Sequence, residues 1–146
     1  MKVLKIKWQR LVSEGETCPR CGGTEEELKK AVEKLKKTFS PLGIQIDLQK
    51  KKISLEEFEK KPLKSNVIYI EDKPLEKWIG GEVGQSQCCE VCGPNDCRTT
   101  RVDGKVYETI PSELIVKASL RAASILIDNE NNSCCDNESS NNSSCC

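Results

Sequence analysis

Histidine is absent from this 146-residue chain, and that gap removes several chemistries at once. No Cys–His or Ser–His catalytic pair can be assembled, and any transition-metal site must be rich in thiolates. Aromatic residues are scarce at 4%, which leaves little for a base-stacking surface. Net charge is missing too. Lys and Arg number 23 against 23 Asp and Glu, so there is no electrostatic case for nucleic acid or an anionic membrane as partner. No apolar run reaches membrane-spanning length. Residues 1 to 8 alternate lysine with apolar residues and do not open the continuous apolar stretch of a signal peptide. Export is therefore not expected, and the expected location is the cytosol.

What the chain has is cysteine, ten residues of it. In a secreted mini-protein ten cysteines would suggest a disulfide framework. Here the apolar content suffices for a core without staples. In a reducing cytosol paired cysteines more often bind metal or carry out redox chemistry.

Residues 1–127 read as one folded body, and 128–146 as a disordered Cys/Asn/Ser-rich tail with no apolar residue besides cysteine to offset the entropy of ordering. In the body, Leu4, Ile6 and Trp8 alternate with Lys5, Lys7 and Gln9 as a half-buried strand. Thr24 stands three residues before Glu27 like a capping box, and Leu28, Val32, Leu35 and Phe39 follow at helical spacing. Pro41 and Gly43 end that helix, and Ile44, Ile46 and Leu48 alternate as a second strand. The run Lys50-Lys51-Lys52 reads as a turn. Ser54 with Glu57 caps a short helix, and Val67 to Ile70 forms a continuous apolar strand. Pro74 to Ile79 adds a strand or a helical turn. Asp103-Gly104 marks a hairpin between Arg98–Val102 and Lys105–Thr109. Pro111 opens a last helix with Leu114, Ile115, Ala118, Ala122, Ile125 and Leu126 on its apolar face. The order is strand, Cys-x-x-Cys, helix, strand, helix, strand, possible strand, Cys-rich insert, helix. That is an α/β chain close to a thioredoxin-like order, with helices packed on a small mixed sheet.

Cys18-Pro19-Arg20-Cys21 falls between the first strand and the first helix. If the helix starts there, its dipole favours a thiolate at Cys18, the candidate catalytic nucleophile, and Cys21 one turn later resolves the mixed disulfide. Gly22 and Gly23 support a different start, at Thr24, because each costs about 1 kcal/mol relative to alanine inside a helix. In that case Cys-Pro-x-Cys-Gly resembles a zinc knuckle, and Cys89-Glu90-Val91-Cys92-Gly93 supplies a second. The segment Cys88 to Cys97 places Cys88, Cys89, Cys92 and Cys97 in a Gly- and Pro-threaded loop. These four are candidate ligands of Zn²⁺ or another thiophilic metal, alone or with Cys18 and Cys21; a disulfide clasp is the plainer alternative. The tail pairs Cys134-Cys135 and Cys145-Cys146 are auxiliary chelating thiols or inert ones.

Several of these segments, Lys7-Trp8-Gln9-Arg10-Leu11, Thr17-Cys18-Pro19-Arg20-Cys21, Ser65-Asn66-Val67-Ile68, Cys88-Cys89 through Cys97-Arg98, and Tyr107-Glu108-Thr109-Ile110-Pro111, together resemble an uncharacterised prokaryotic family, domain of unknown function 2703. The resemblance covers about residues 2 to 127. It implies a thioredoxin-like fold and membership of both cysteine groups in the family pattern, and it carries no established activity. Working thioredoxins place a cis-proline opposite the Cys-x-x-Cys, and Ser65-Asn66 stands at that approach. The expected function is a thiol-based redox protein acting by disulfide exchange through Cys18 and Cys21, with a protein disulfide or thiol as partner. The alternative is a non-catalytic thiolate protein holding Zn²⁺ or a soft metal or metalloid.

Overall fold

Ten residues of alternating character, Lys2–Leu11, form the first strand, β1, and Leu4, Ile6 and Trp8 on one of its faces are wholly buried. The computed structural model describes residues 2–12, 19–87 and 96–136, except the side chains of 19, 20, 87 and 129–136. After β1 come α1 (Pro19–Phe39), β2 (Ile44–Ile53), α2 (Leu55–Lys60), β3 (Val67–Ile70), β4 (Lys73–Pro74), α3 (Leu75–Ile79), β5 (Glu82–Gln87), β6 (Asp96–Val102), β7 (Lys105–Tyr107) and α4 (Ser112–Asp136). The architecture is mixed α/β with two sheets and four helices.

The larger sheet has the order β2-β1-β3-β4. β1 and β2 run parallel over their whole length, from Lys2↔Ile44 to Leu11↔Ile53. β3 lies antiparallel on the other edge of β1, with Trp8 opposite Ile68, and β4 closes antiparallel on β3. A parallel pair needs a crossover, and α1 provides it. Leu28, Ala31, Leu35 and Phe39 of α1 and Ile115, Ala118 and Ala122 of α4 join Leu4, Ile6 and Trp8 in one core. Each large side chain so buried contributes about 1.5–3 kcal/mol. The opposite face of β1 stays open over Val3 and Lys5 and closes over Gln9 and Leu11, where Gln9 Nε2 donates to Lys64 O at 2.9 Å.

The smaller antiparallel sheet, β5-β6-β7, carries the Asp103-Gly104 hairpin, with φ of 53° and 80° at the two turn residues, as a two-residue primed turn requires. Arg98 and Glu76 hold this sheet to the body. Arg98 Nη2 donates to Glu76 Oε1 at 2.8 Å, Thr100 Oγ1 donates to Glu76 Oε2 at 2.6 Å, and Arg98 Nη1 donates to Leu63 O at 3.0 Å. Both charged side chains are buried.

Four local expectations change. α1 begins at Pro19, so Thr24 and Glu27 are inside the helix and form no capping box there. Lys50, Lys51 and Lys52 are strand residues of β2, not a turn; they remain exposed because β2 is an edge strand. Ile125 is 45% exposed and lies off the apolar face of α4. That helix also continues past Ile127 to Asp136. Residues 137–146 lie outside the described residues. The capping box at Ser54 is present as read: Glu57 N donates to Ser54 Oγ at 3.2 Å, and the Glu57 carboxylate accepts from Ser54 N.

Candidate thiol site at the start of the first helix

The buried stripe of α1 runs backwards from Leu28 through Thr24 to Cys21, at helical intervals of four and three residues. Cys21 therefore sits in the first turn with its side chain turned inward, and it is 1% exposed. The glycines that argued against a helix here have a packing role at one position. A Cβ on Gly23 would stand 2.9 Å from Thr109 Oγ1, so the close approach of the 108–111 segment requires glycine; a Cβ on Gly22 would meet nothing within 4 Å among the described residues.

The two supposed capping residues dock that same segment. Thr24 Oγ1 accepts from Ile110 N at 3.2 Å, and Glu27 Oε1 accepts from Ser112 N at 3.1 Å. Glu27 thus accepts from the first residue of α4 and does not cap its own helix. The hydrogen bond from Ser112 N, reinforced by the ion pair with Lys30, holds the Glu27 carboxyl below its ordinary range. Glu25 is lowered in the same direction, chiefly by the hydrogen bond from Lys50 Nζ at 3.0 Å.

Opposite Cys21 lies the turn that leads into β3. Ser65 is fully buried, and its Oγ stands 3.8 Å from Cys21 Sγ, within hydrogen-bond reach for sulfur. Leu11 N, at the end of β1, donates to the same oxygen at 3.0 Å. Asn66 follows with φ of 58°, a left-handed conformation that asparagine tolerates better than most residues. Its side chain ties two elements together: Oδ1 accepts from Trp8 Nε1 at 3.3 Å, and Nδ2 donates to Glu108 O at 3.3 Å. The end of β1, the first turn of α1 and the entry to β3 therefore meet at the Ser65 hydroxyl.

The second cysteine group approaches through β6. Cys97 is a strand residue of β6 and not part of the loop the sequence assigned it to, and it is buried in the same core cluster as Cys21. Its neighbour Arg98 bonds to Leu63 O, two residues before Ser65. Cys18, Cys88, Cys89 and Cys92 lie outside the described residues, as do Cys145, Cys146 and the side chains of Cys134 and Cys135. Among the described residues no three Cys, Asp or Glu side chains gather as a metal would require. No helix among them is long and apolar enough to cross a membrane.

Sequence reasoning placed Ser65-Asn66 at the approach to the Cys-x-x-Cys without giving either residue a role. It gave none to Glu76, which has no motif around it. Only the fold shows that these polar side chains are buried and partnered.

The family model described as Domain of unknown function (DUF2703) matches residues 4–119. An uncharacterised protein of Archaeoglobus fulgidus is 44% identical over 112 residues, covering 77% of this chain and 82% of the relative. No solved structure matches.

Proposed function

This chain belongs to the family described as Domain of unknown function (DUF2703), and we propose that it is a thiol-based redox protein acting by disulfide exchange through Cys18 and Cys21. The observation that carries the reading is the place of Cys21: in the first turn of α1, buried, and facing Ser65 where β3 begins. The sheet supports it. The order β2-β1-β3-β4, with β1 and β2 parallel and β3 and β4 antiparallel, is the connectivity a thioredoxin-like core needs. α1 starts at Pro19, directly after Cys18, and that start supports the reading of Cys18 as a nucleophile favoured as thiolate by the helix dipole.

In this reading Cys18 attacks the disulfide of a protein or small-molecule partner, and Cys21 displaces the mixed disulfide. Cys88, Cys89, Cys92 and Cys97 form a second thiol group that exchanges with the first. The approach of β6 to the Ser65 turn supports that exchange. The setting is the reducing cytosol, where such pairs cycle.

The test is a trapping experiment on the full chain. Cys21→Ser should leave Cys18 joined to a disulfide substrate as a stable adduct, and Cys18→Ser should give no adduct. Equal trapping by both variants contradicts the assignment. The competing reading, a thiolate metal site, predicts about one metal per chain and blocked thiols until chelator is added.

A further inference from the structure

We infer that Ser65 is a positioning residue for the resolving half of the exchange: its hydroxyl donates to the Cys21 sulfur and favours the thiolate that must attack the mixed disulfide. The inference rests on the proposed redox role of Cys18 and Cys21 and assigns a residue that this role does not name.

Cys21 is 1% exposed and packed among core side chains. Burial of that kind opposes ionisation of a thiol, yet the resolving cysteine must become a thiolate. Some local group has to offset the lost hydration. Ser65 is itself 0% exposed, and its Oγ is 3.8 Å from the sulfur. Its other contact narrows where that hydroxyl can point. Leu11 N donates to the same oxygen at 3.0 Å, so one lone pair of Ser65 is occupied from the β1 side. The hydroxyl hydrogen is left to point elsewhere, and the sulfur is within its reach. Ser65 N donates to Pro62 O at 3.2 Å, and Asn66 is clamped between Trp8 and Glu108 O, so the turn cannot easily swing the hydroxyl away.

The reaction balances within the pair and its substrate. A substrate disulfide is the oxidant. Cys18 thiolate attacks one of its sulfurs, forming a Cys18–substrate disulfide and releasing one substrate thiolate. Cys21 loses its proton to solvent and attacks the Cys18 sulfur. The Cys18–Cys21 disulfide forms, the bond to substrate breaks, and the second substrate thiolate leaves to take a proton from water. Ser65 gains and loses no bond; its hydrogen bond strengthens as charge collects on Cys21.

A hydrogen bond to a charged group is worth enough to move a titration by about one to two units. Part of the kinetic effect cancels, because a less acidic thiolate is more nucleophilic. Below its midpoint, resolution should then slow only about threefold for each unit. The pH midpoint is the cleaner readout.

The experiment mixes the reduced full chain with a small aromatic disulfide and follows release of the two aromatic thiolates as a function of pH, with peptide mapping of the adducts. The first thiolate reports attack by Cys18 and the second reports resolution by Cys21. Ser65→Ala should leave the first phase unchanged and raise the midpoint of the second by about one unit or more. Ser65→Thr, which keeps the hydroxyl, should restore it. A purely structural role would slow the second phase without moving its midpoint. An unchanged midpoint in a folded Ser65→Ala protein overturns the inference. If that variant does not fold, the unmodified chain decides. A Cys21 midpoint at or below the ordinary thiol value of about 8.5 supports the hydroxyl's role, and one well above it overturns that role. A different result, no first phase and no adduct at Cys18, refutes the redox reading itself.

Discussion

Replacing Arg98 by methionine should cost this protein more than any surface substitution, because it strands the buried Glu76 carboxylate and unpairs the Leu63 carbonyl at once. Arg98 gives one N–H to Glu76 at 2.8 Å and another to Leu63 O at 3.0 Å. Without it the Glu76 carboxyl, 3% exposed, is left buried beside Thr100 Oγ1 with no cation facing it among the described residues. Removing one member of a buried ion pair typically costs about 3–5 kcal/mol, since the other charge is stranded. Arg98 Nε is buried without a partner among the described residues, so its loss adds nothing. For a chain of this size the midpoint of thermal unfolding should fall by roughly 10 °C. The double variant Arg98→Met, Glu76→Leu removes both charges and leaves only neutral groups unpaired. It should lie about 1–3 kcal/mol below the parent, well above the single variant. The assay is urea unfolding of the fully reduced chain followed by tryptophan emission. The reasoning fails if Arg98→Met loses less than about 1 kcal/mol, or if the double variant is no better than the single one.

Two neighbouring glycines should respond in opposite directions. Gly22→Ala meets no described atom within 4 Å inside α1, and helix propensity predicts a gain of up to about 1 kcal/mol. Gly23→Ala drives a methyl to within 2.9 Å of Thr109 and should lose about 1–3 kcal/mol despite the same propensity gain; thermal melts of the two variants check this. Glu27→Gln tests the pH dependence. The folded-state carboxyl of Glu27 is lowered, chiefly by the hydrogen bond from Ser112 N. Its stabilisation is therefore fully present above the unfolded carboxyl value of about 4.3 and is lost as pH falls through the lowered folded value. Acid unfolding of Glu27→Gln should lack that contribution. An identical pH profile would remove Glu27 from the docking of α4.

Much of the fold was legible because it is encoded locally. The alternation in β1, the Ser54–Glu57 box, the Asp103-Gly104 turn and the apolar face of α4 each announce themselves within a few residues. The Thr24–Glu27 pair shows the limit of such reading. It carries the same signature as Ser54–Glu57, but the backbone N–H groups it accepts from, Ile110 N and Ser112 N, lie 86 and 85 residues away. A local pattern cannot reveal a partner that only the packing of α1 on α4 supplies. Lys50 to Lys52 looked like a turn because three successive lysines have no alternation; an edge strand paired on one side tolerates them. In the candidate site, the cysteine spacing singled out Cys21. The polar residues around it were invisible for a different reason. A lone buried serine has no spacing rule, and its meaning here comes from Leu11 and Cys21 meeting at its oxygen.

The most direct test of the central claim is to equilibrate the full chain, purified without oxygen, across a series of glutathione redox buffers. Disulfides are mapped by mass spectrometry at each potential, and metal is measured in the same samples. Disulfide exchange through the first motif predicts a reversible Cys18–Cys21 bond that forms and disappears as a two-electron couple, in protein with no stoichiometric metal. Cys18 and Cys21 that never pair across the series, in protein that retains about one metal per chain and releases its thiols only to chelator, would contradict it.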